Sequence, residues 1–397
     1  MTREITHARL ASLLAALSAI GPFAIDAYLP AFPAIRAELG ATQLEVQQTL
    51  TVYMAALALM VLWHGAFADR FGRRRVLIGL TGLFGLASLM CALAPSIEWL
   101  WLGRALQGVS GGAGIVVGRA VVRDLHEGPQ AQRLMSRVML IFALAPALAP
   151  LLGAGLLAVA GWRAIFVFLA VFGLALAWAT WRFLPETLAE GERQPLHPLH
   201  LLRGYRAIFG NPAFMLLALG VALNFNGFFL YVLSAPVFIL DHLGLGSGGF
   251  VWLFGPAVAG MMIGSVLSER LAGRWSSLRT VGLGFVLMFA AVVINTAVSG
   301  LLAPAVPLSV LPIGLFSCGM AVAMPSMSLL GLELFPDRRG MASSCQSFLQ
   351  IGLNAVSSAV AAPLLWSSTL GLASGMAMFA ALGVSAWLAW LRLDGRR

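Results

Sequence analysis

Apolar positions in this chain come in unbroken runs, not at the alternating or one-face spacing of a soluble strand or helix. Runs of about twenty residues recur along its length, enough for a helix to cross the hydrocarbon core of a bilayer. In lipid, backbone polar groups must bond one another, so a spanning segment is a helix or a strand of a closed barrel. These runs are too long and continuous for barrel strands. The pattern predicts twelve spans, near 9–34, 43–67, 76–95, 98–121, 134–159, 162–184, 212–240, 248–269, 279–300, 305–332, 340–366 and 370–391. The longest polar interval, 185–211, holds Glu186, Glu190, Glu192, Arg193, His197, His200, Arg203 and Arg206. The prediction is an all-α polytopic membrane protein of two six-helix bundles, 1–184 and 212–397, joined by a linker at 185–211.

Composition agrees with dissolution in lipid: 60% of residues are hydrophobic and 10% charged, against about a quarter charged in ordinary soluble domains. The net charge is +9, and every basic residue counted in it is an arginine. With both termini placed inside, only Arg36, Arg104 and Arg163 fall elsewhere, so 22 of the 25 arginines mark the cytoplasmic side. Topology therefore accounts for the basic balance, and no nucleic-acid partner is expected. The apolar run after Arg3 and Arg9 continues to about Phe32, which suits an uncleaved first span better than a signal peptide. Cys91, Cys318 and Cys345 all lie in apolar runs and form no disulfide or metal pattern. No Walker-type phosphate loop, metal cluster or nucleophile–base arrangement is present, so neither an enzyme nor a cofactor is expected.

The densest signal is the joint between the second and third runs, Gly65-Ala66-Phe67-Ala68-Asp69-Arg70-Phe71-Gly72-Arg73-Arg74-Arg75. Its glycines are expected to allow a tight turn, and its arginines to hold it in the cytoplasm. A weaker echo, Gly264-Ser265-Val266-Leu267-Ser268-Glu269-Arg270 with Arg274, follows two hundred residues on and suggests that the halves are repeats.

Within the spans, Asp26 and Arg104 stand out, because a charge in the bilayer interior is costly and usually faces a cavity or a partner. Opposite helix directions place them at similar depth, where they can share one cavity. Apolar surroundings raise the proton affinity of a carboxyl and a nearby arginine lowers it, which suits Asp26 to proton binding. The alternative is a carboxylate that caps or pairs at the outer interface. Arg104, with Gln107 one turn on, can bond carbonyls or a carboxylate; the alternative is an arginine that snorkels to headgroups. Pro146, Pro150 and Gly153 in the fifth span suggest a deformable seam, against an ordinary kinked helix. In the seventh span Asn224, Asn226, Phe229 and Tyr231 can orient a ligand, as can Tyr28 and Gln107 in the first half. Gln346, Gln350 and Asn354 share one face of the eleventh span, with interhelical bonding as an equal reading. His64 reads as a packing histidine.

The Gly65 joint resembles the G-x-x-x-D-R-x-G-R-R loop of the major facilitator superfamily. With Ile25-Asp26-Ala27-Tyr28-Leu29-Pro30-Ala31 in span one, Arg104-Ala105-Leu106-Gln107-Gly108 in span four, Ala145-Pro146-Ala147-Leu148-Ala149-Pro150-Leu151-Leu152-Gly153 in span five and Leu184-Pro185-Glu186-Thr187 after span six, the chain resembles the Bcr/CflA drug:proton antiporters. Ala145 departs from the glycine usual in the fifth-span signature. The resemblance implies the major facilitator fold, export of small amphipathic compounds from the bacterial cytoplasm against entering protons, and proton coupling at Asp26 and Arg104. It further implies a conformational switch in Gly65, Asp69, Arg70, Gly72 and Arg73, with Asp69 meeting the start of span eleven in one state. Expected partners are a drug or metabolite, protons and the lipid bilayer of the inner membrane, with the protein a monomer. Export of one dedicated metabolite, or a non-transporting sensor or structural role, are the alternatives.

Overall fold

A computed structural model describes residues 7–126, 128–193 and 196–394. Arg3, Arg396 and Arg397, counted above for topology, lie outside them. The described residues form helices and turns, with no strand among them. Eleven helical segments are long and apolar enough to cross a membrane, and Leu144–Ala160 is a shorter apolar one. The fold is that of an all-α, multi-pass membrane protein.

The chain divides into two compact units, Met1–Pro198 and Leu199–Arg397. In the first, α1 (His7–Asp26) ends where Pro30 and Pro33 withhold backbone donors. A 3-10 turn, Leu29–Ala31, leads into α2 (Phe32–Leu39), so the first span reaches Leu39, past the predicted residue 34. Next come α3 (Gln43–Phe71), α4 (Arg73–Ala92), α5 (Ile97–Gly111), α6 (Ala113–Leu125), α7 (Gly128–Ala160) and α8 (Trp162–Phe183). α5 and α6 form one span, Ile97–Leu125, interrupted at Gly112. Within this unit α1 packs along α7, α3 along α5, and α4 along α8.

The second unit runs through α9 (Pro198–Phe209), α10 (Pro212–Leu233), α11 (Phe250–Leu271), α12 (Ser277–Leu301), α13 (Leu311–Glu333), α14 (Arg339–Val356), α15 (Ala362–Leu365) and α16 (Thr369–Asp394). Its centre is α13 against both α11 and α12, with α10 along α16. One π-helical turn, Val237–His242, follows α10, and another, Ser357–Ala361, links α14 to α15. The short helix α9 lies in what the polarity pattern reads only as a linker.

The joint between α3 and α4 differs from the sequence expectation. Gly65 lies inside α3, facing Val116 of α6, and takes no part in a turn. The whole reversal falls on Gly72, whose φ of +95° is the region glycine alone enters freely.

Candidate functional site

Arg104 is completely buried in the first unit. Its guanidinium lies between two tyrosine rings, 4.4 Å from the centroid of Tyr28 and 4.4 Å from that of Tyr53. One terminal nitrogen donates to the Ala24 carbonyl at 3.0 Å and to Gln107 Oε1 at 2.7 Å. Gln107 Nε2 donates to Ser88 Oγ at 2.7 Å, and Ser88 to the Phe84 carbonyl. The Tyr28 hydroxyl shares a 3.0 Å hydrogen bond with Thr49. So α1, α3, α4 and α5 all contribute to one cage around a single cation. Two aromatic faces at a fully buried site contribute about 2 kcal/mol each, which offsets part of the cost of burying the charge. Arg104 does not snorkel. Its Nε and second terminal nitrogen have no hydrogen-bond partner among the described residues, nor has the Tyr53 hydroxyl.

Asp26 closes α1 and is 5% exposed. Among the described residues no ion pair or hydrogen bond joins it to Arg104. The arginine instead reaches the backbone at Ala24, two residues before the carboxylate. The two are therefore coupled through α1 and not by direct contact. Ala27, next in line, faces α7: a side chain at Gly153 would collide with the Ala27 carbonyl oxygen. A side chain at Gly114 of α6 would likewise strike the Leu17 carbonyl. In the same stretch of α7, Pro150 is buried and Pro146 half-buried. His64 is buried on α3, its Nε2 2.9 Å from the Val109 carbonyl, so that nitrogen carries the proton. Val109 stands four residues before Ala113, where α6 begins, and the histidine braces the interruption at Gly112.

The charges around Gly72 form a second cluster. Arg73 is 8% exposed; it pairs with Asp69 one turn back, and its Nε donates to Asp124 of α6 at 3.1 Å. Thr187 donates to the same Asp124 oxygen at 2.9 Å. The Glu186 carboxylate sits on Gly72, accepting from the Arg73 amide at 2.8 Å, while Arg74 bonds the Trp181 carbonyl. Glu186 thus caps α4 from beyond α8, where a helix N-terminus favours negative charge. Arg70 is exposed. Sequence reasoning did not assign roles to Asp124, Ser88, Thr49 or Tyr53.

In the second unit the residues singled out as ligand contacts point into the bundle. Asn226 donates to the Ala222 carbonyl and to Asn354 of α14, both at 2.9 Å. Tyr231 accepts from Asn295 of α12 at 2.7 Å, a partner that sequence reasoning missed. Asn224 packs against Gly383 of α16, and neither of its amide atoms has a partner among the described residues. Phe229 stacks on Phe225 at 5.2 Å. Gln346 donates to Ser328 of α13 at 2.6 Å. Asn226 ties α10 to α14 and Tyr231 ties it to α12, whereas Asn224 only packs against α16.

Residues 13–357 match the Major Facilitator Superfamily. The chain belongs to that superfamily. It is a membrane transporter and not an enzyme. This facilitator is 33% identical over 354 residues to an uncharacterized MFS-type transporter of Bacillus subtilis, YdgK, covering 87% of each chain. It is 30% identical over 331 residues to a chloramphenicol resistance protein of Pseudomonas aeruginosa, covering 81% of this chain and 76% of that one. In fold it resembles the human organic anion transporter MFSD10, with a TM-score of 0.72 at 18% identity over 98% of this chain and 100% of that one.

Proposed function

We propose that this facilitator is a proton-coupled exporter of small amphipathic compounds, of the Bcr/CflA type. It sits as a monomer in a bacterial inner membrane, with both termini cytoplasmic. The observation that carries the reading is Asp26, a buried carboxylate with no ion-pair partner among the described residues, at the end of a broken helix whose backbone Arg104 holds. An unpaired carboxylate inside a membrane span marks a candidate site on an ion or proton path. Protonation that alternates with drug occupancy converts inward proton movement into outward drug movement. The drug-resistance name of the Pseudomonas relative supports the substrate class.

In this reading Arg104 positions the end of α1, and the Asp69–Arg73–Asp124 cluster holds α3, α4 and α6 in one arrangement that the transport cycle releases. Asp69→Asn is expected to slow turnover while leaving drug affinity little changed. The deciding experiment reconstitutes the protein in vesicles with an imposed pH gradient and follows a panel of unrelated drugs. Uphill movement of several, abolished by a protonophore, supports the reading. Movement of one compound alone indicates a dedicated exporter, and movement indifferent to the pH gradient defeats proton coupling.

A further inference from the structure

The surface that the transport reading leaves unused is the outer face of α9. Its sequence, Pro198-Leu-His-Leu-Leu-Arg-Gly-Tyr-Arg-Ala-Ile-Phe209, contains no acidic residue. Gly204, Tyr205 and Ile208 form its buried side, with Ile208 fully covered. This side is seated on the first turns of α14: Gly204 lies against the Met341 sulfur, and Phe209 meets Phe348 edge-on at 5.8 Å. The other side presents Leu199 and Leu202, 70% and 65% exposed, together with exposed Arg203 and Arg206. These four recur at spacings of three and four residues, so they share one stripe. Arg338, just before α14, lies on the seated side, its guanidinium 3.9 Å from where a Gly204 side chain would begin.

The depth of this stripe follows from chain connectivity. Only Gly210 and Asn211 separate α9 from Pro212, where a membrane-spanning helix begins. The three steps from Phe209 to Pro212 reach at most about 11 Å. Asn211 caps α10 by accepting from the Phe214 amide at 3.1 Å, and the Gly210 amide bonds back to Arg206, so the corner is tight. The end of α9 is therefore held at the level where α10 enters lipid. Two exposed leucines beside arginines, at that level, match a helix lying in the headgroup layer: apolar side chains enter the acyl boundary and guanidinium groups meet phosphates.

We propose that α9 is a docking surface for anionic phospholipid headgroups, with Arg203 and Arg206 as the headgroup ligands and Leu199 and Leu202 as the apolar anchor, and that its inner face passes lipid occupancy to the start of α14. The occupant is the bilayer in which the chain itself sits. Charge complementarity favours it, since every charged group on the exposed stripe is positive.

The test is hydrogen exchange of α9 amides in the full-length protein, in nanodiscs of phosphatidylcholine alone and with added phosphatidylglycerol. The readout is independent of any transported compound. Protection of α9 and of the first turn of α14 is expected to rise with phosphatidylglycerol. At about 1 kcal/mol per basic residue near an anionic surface, each of Arg203→Gln and Arg206→Gln is expected to weaken the lipid dependence about fivefold, and the pair about 30-fold. Leu202→Ser is expected to lower protection in both lipids. Arg270→Gln with Arg274→Gln, at the exposed α11–α12 joint, removes equal charge elsewhere and should leave α9 unchanged. Equal exchange of wild-type α9 in the two lipids, or loss of the dependence in the Arg270/Arg274 pair, overturns the proposal.

Discussion

The joint between α3 and α4 and the joint between α11 and α12 occupy matching places in the two halves, yet they are built on opposite plans. In the first, Gly72 is buried, one residue makes the whole turn, and three carboxylates converge on it from α3, α6 and the segment after α8. In the second, residues 272–279 are all exposed, Gly273 has open space around it, and Ser276 caps the next helix through a 3.4 Å hydrogen bond from Arg279. The same division runs through the interiors. Among the described residues, every buried Asp, Arg or His lies in the first unit. The second unit is tied by amides, hydroxyls and aromatic rings. The comparison teaches that two halves can share a helical plan while only one keeps buried charge; under the proposed function, proton handling belongs to that first half.

Asp26→Asn tests that division most severely. One proton moving through about 100 mV supplies roughly 2.3 kcal/mol, enough for about 50-fold drug accumulation. The variant is expected to insert normally and to lose that accumulation entirely, measured as protonophore-sensitive efflux. Normal uphill export would rule out Asp26 as the essential proton carrier.

Arg104→Ala against Asn295→Ala compares the two interiors as structures. Removing the guanidinium strips donors from the Ala24 carbonyl and Gln107, at roughly 1–3 kcal/mol each, and the two cation–π contacts as well. Asn295→Ala removes the hydrogen bond to Tyr231 and a long one to Met376 Sδ at 3.5 Å, interhelical bonds that average about 0.6 kcal/mol each in membrane bundles. Thermal unfolding in detergent should show a much larger drop for Arg104→Ala. Arg104→Lys should recover part of it, since lysine keeps the charge but not the fork.

Gly72→Ala against Gly273→Ala separates crowding from backbone strain. Both glycines have positive φ, +95° and +75°, and backbone strain of order 1–3 kcal/mol is expected at each. A methyl at position 72 also collides with the Glu186 carboxylate, whereas at position 273 it meets nothing. Expression and transport should fall sharply only for Gly72→Ala. Equal effects would mean that the Glu186 contact contributes nothing.

The smallest effect separates Glu186→Gln from Glu269→Gln. Loss of the charge at the helix N-terminus, with its acceptor oxygen kept, costs about 0.3–1 kcal/mol, while an exposed substitution stays within about 0.5 kcal/mol. Unfolding midpoints of the pair should differ in that direction, and the difference should shrink in high salt.

Much of this was legible in the chain because lipid imposes long apolar runs, and the spans follow from their lengths. Asp26 and Arg104 were legible for the same reason, as charges where lipid tolerates few. Their relationship was not: periodicity and depth suggested a pair, but Arg104 is held by a backbone carbonyl and two aromatic rings, none of which has a charge signature. Glu186 and Asp124 escaped because their partners lie 113 and 51 residues away. Gly65 was misplaced because a glycine inside a helix and one at a turn look alike in a string of letters. Helix α9 was hidden by its polarity, although its leucines and arginines already carried the stripe.

The two glycine contacts on α1 constrain how the first unit can move. Gly114 of α6 meets α1 at Leu17 and Gly153 of α7 meets Ala27, the residue directly after α1, ten residues or about 15 Å further on. A helix held against backbone at two separated points can neither spin about its axis nor slide without opening both contacts. Helices α1, α6 and α7 therefore behave as a single plate, with Asp26 mounted at its edge. In the proposed transport cycle, whatever exposes that carboxylate to one aqueous face and then the other carries the plate as a whole, so that a proton bound there would travel with the scaffold instead of along a swinging side chain.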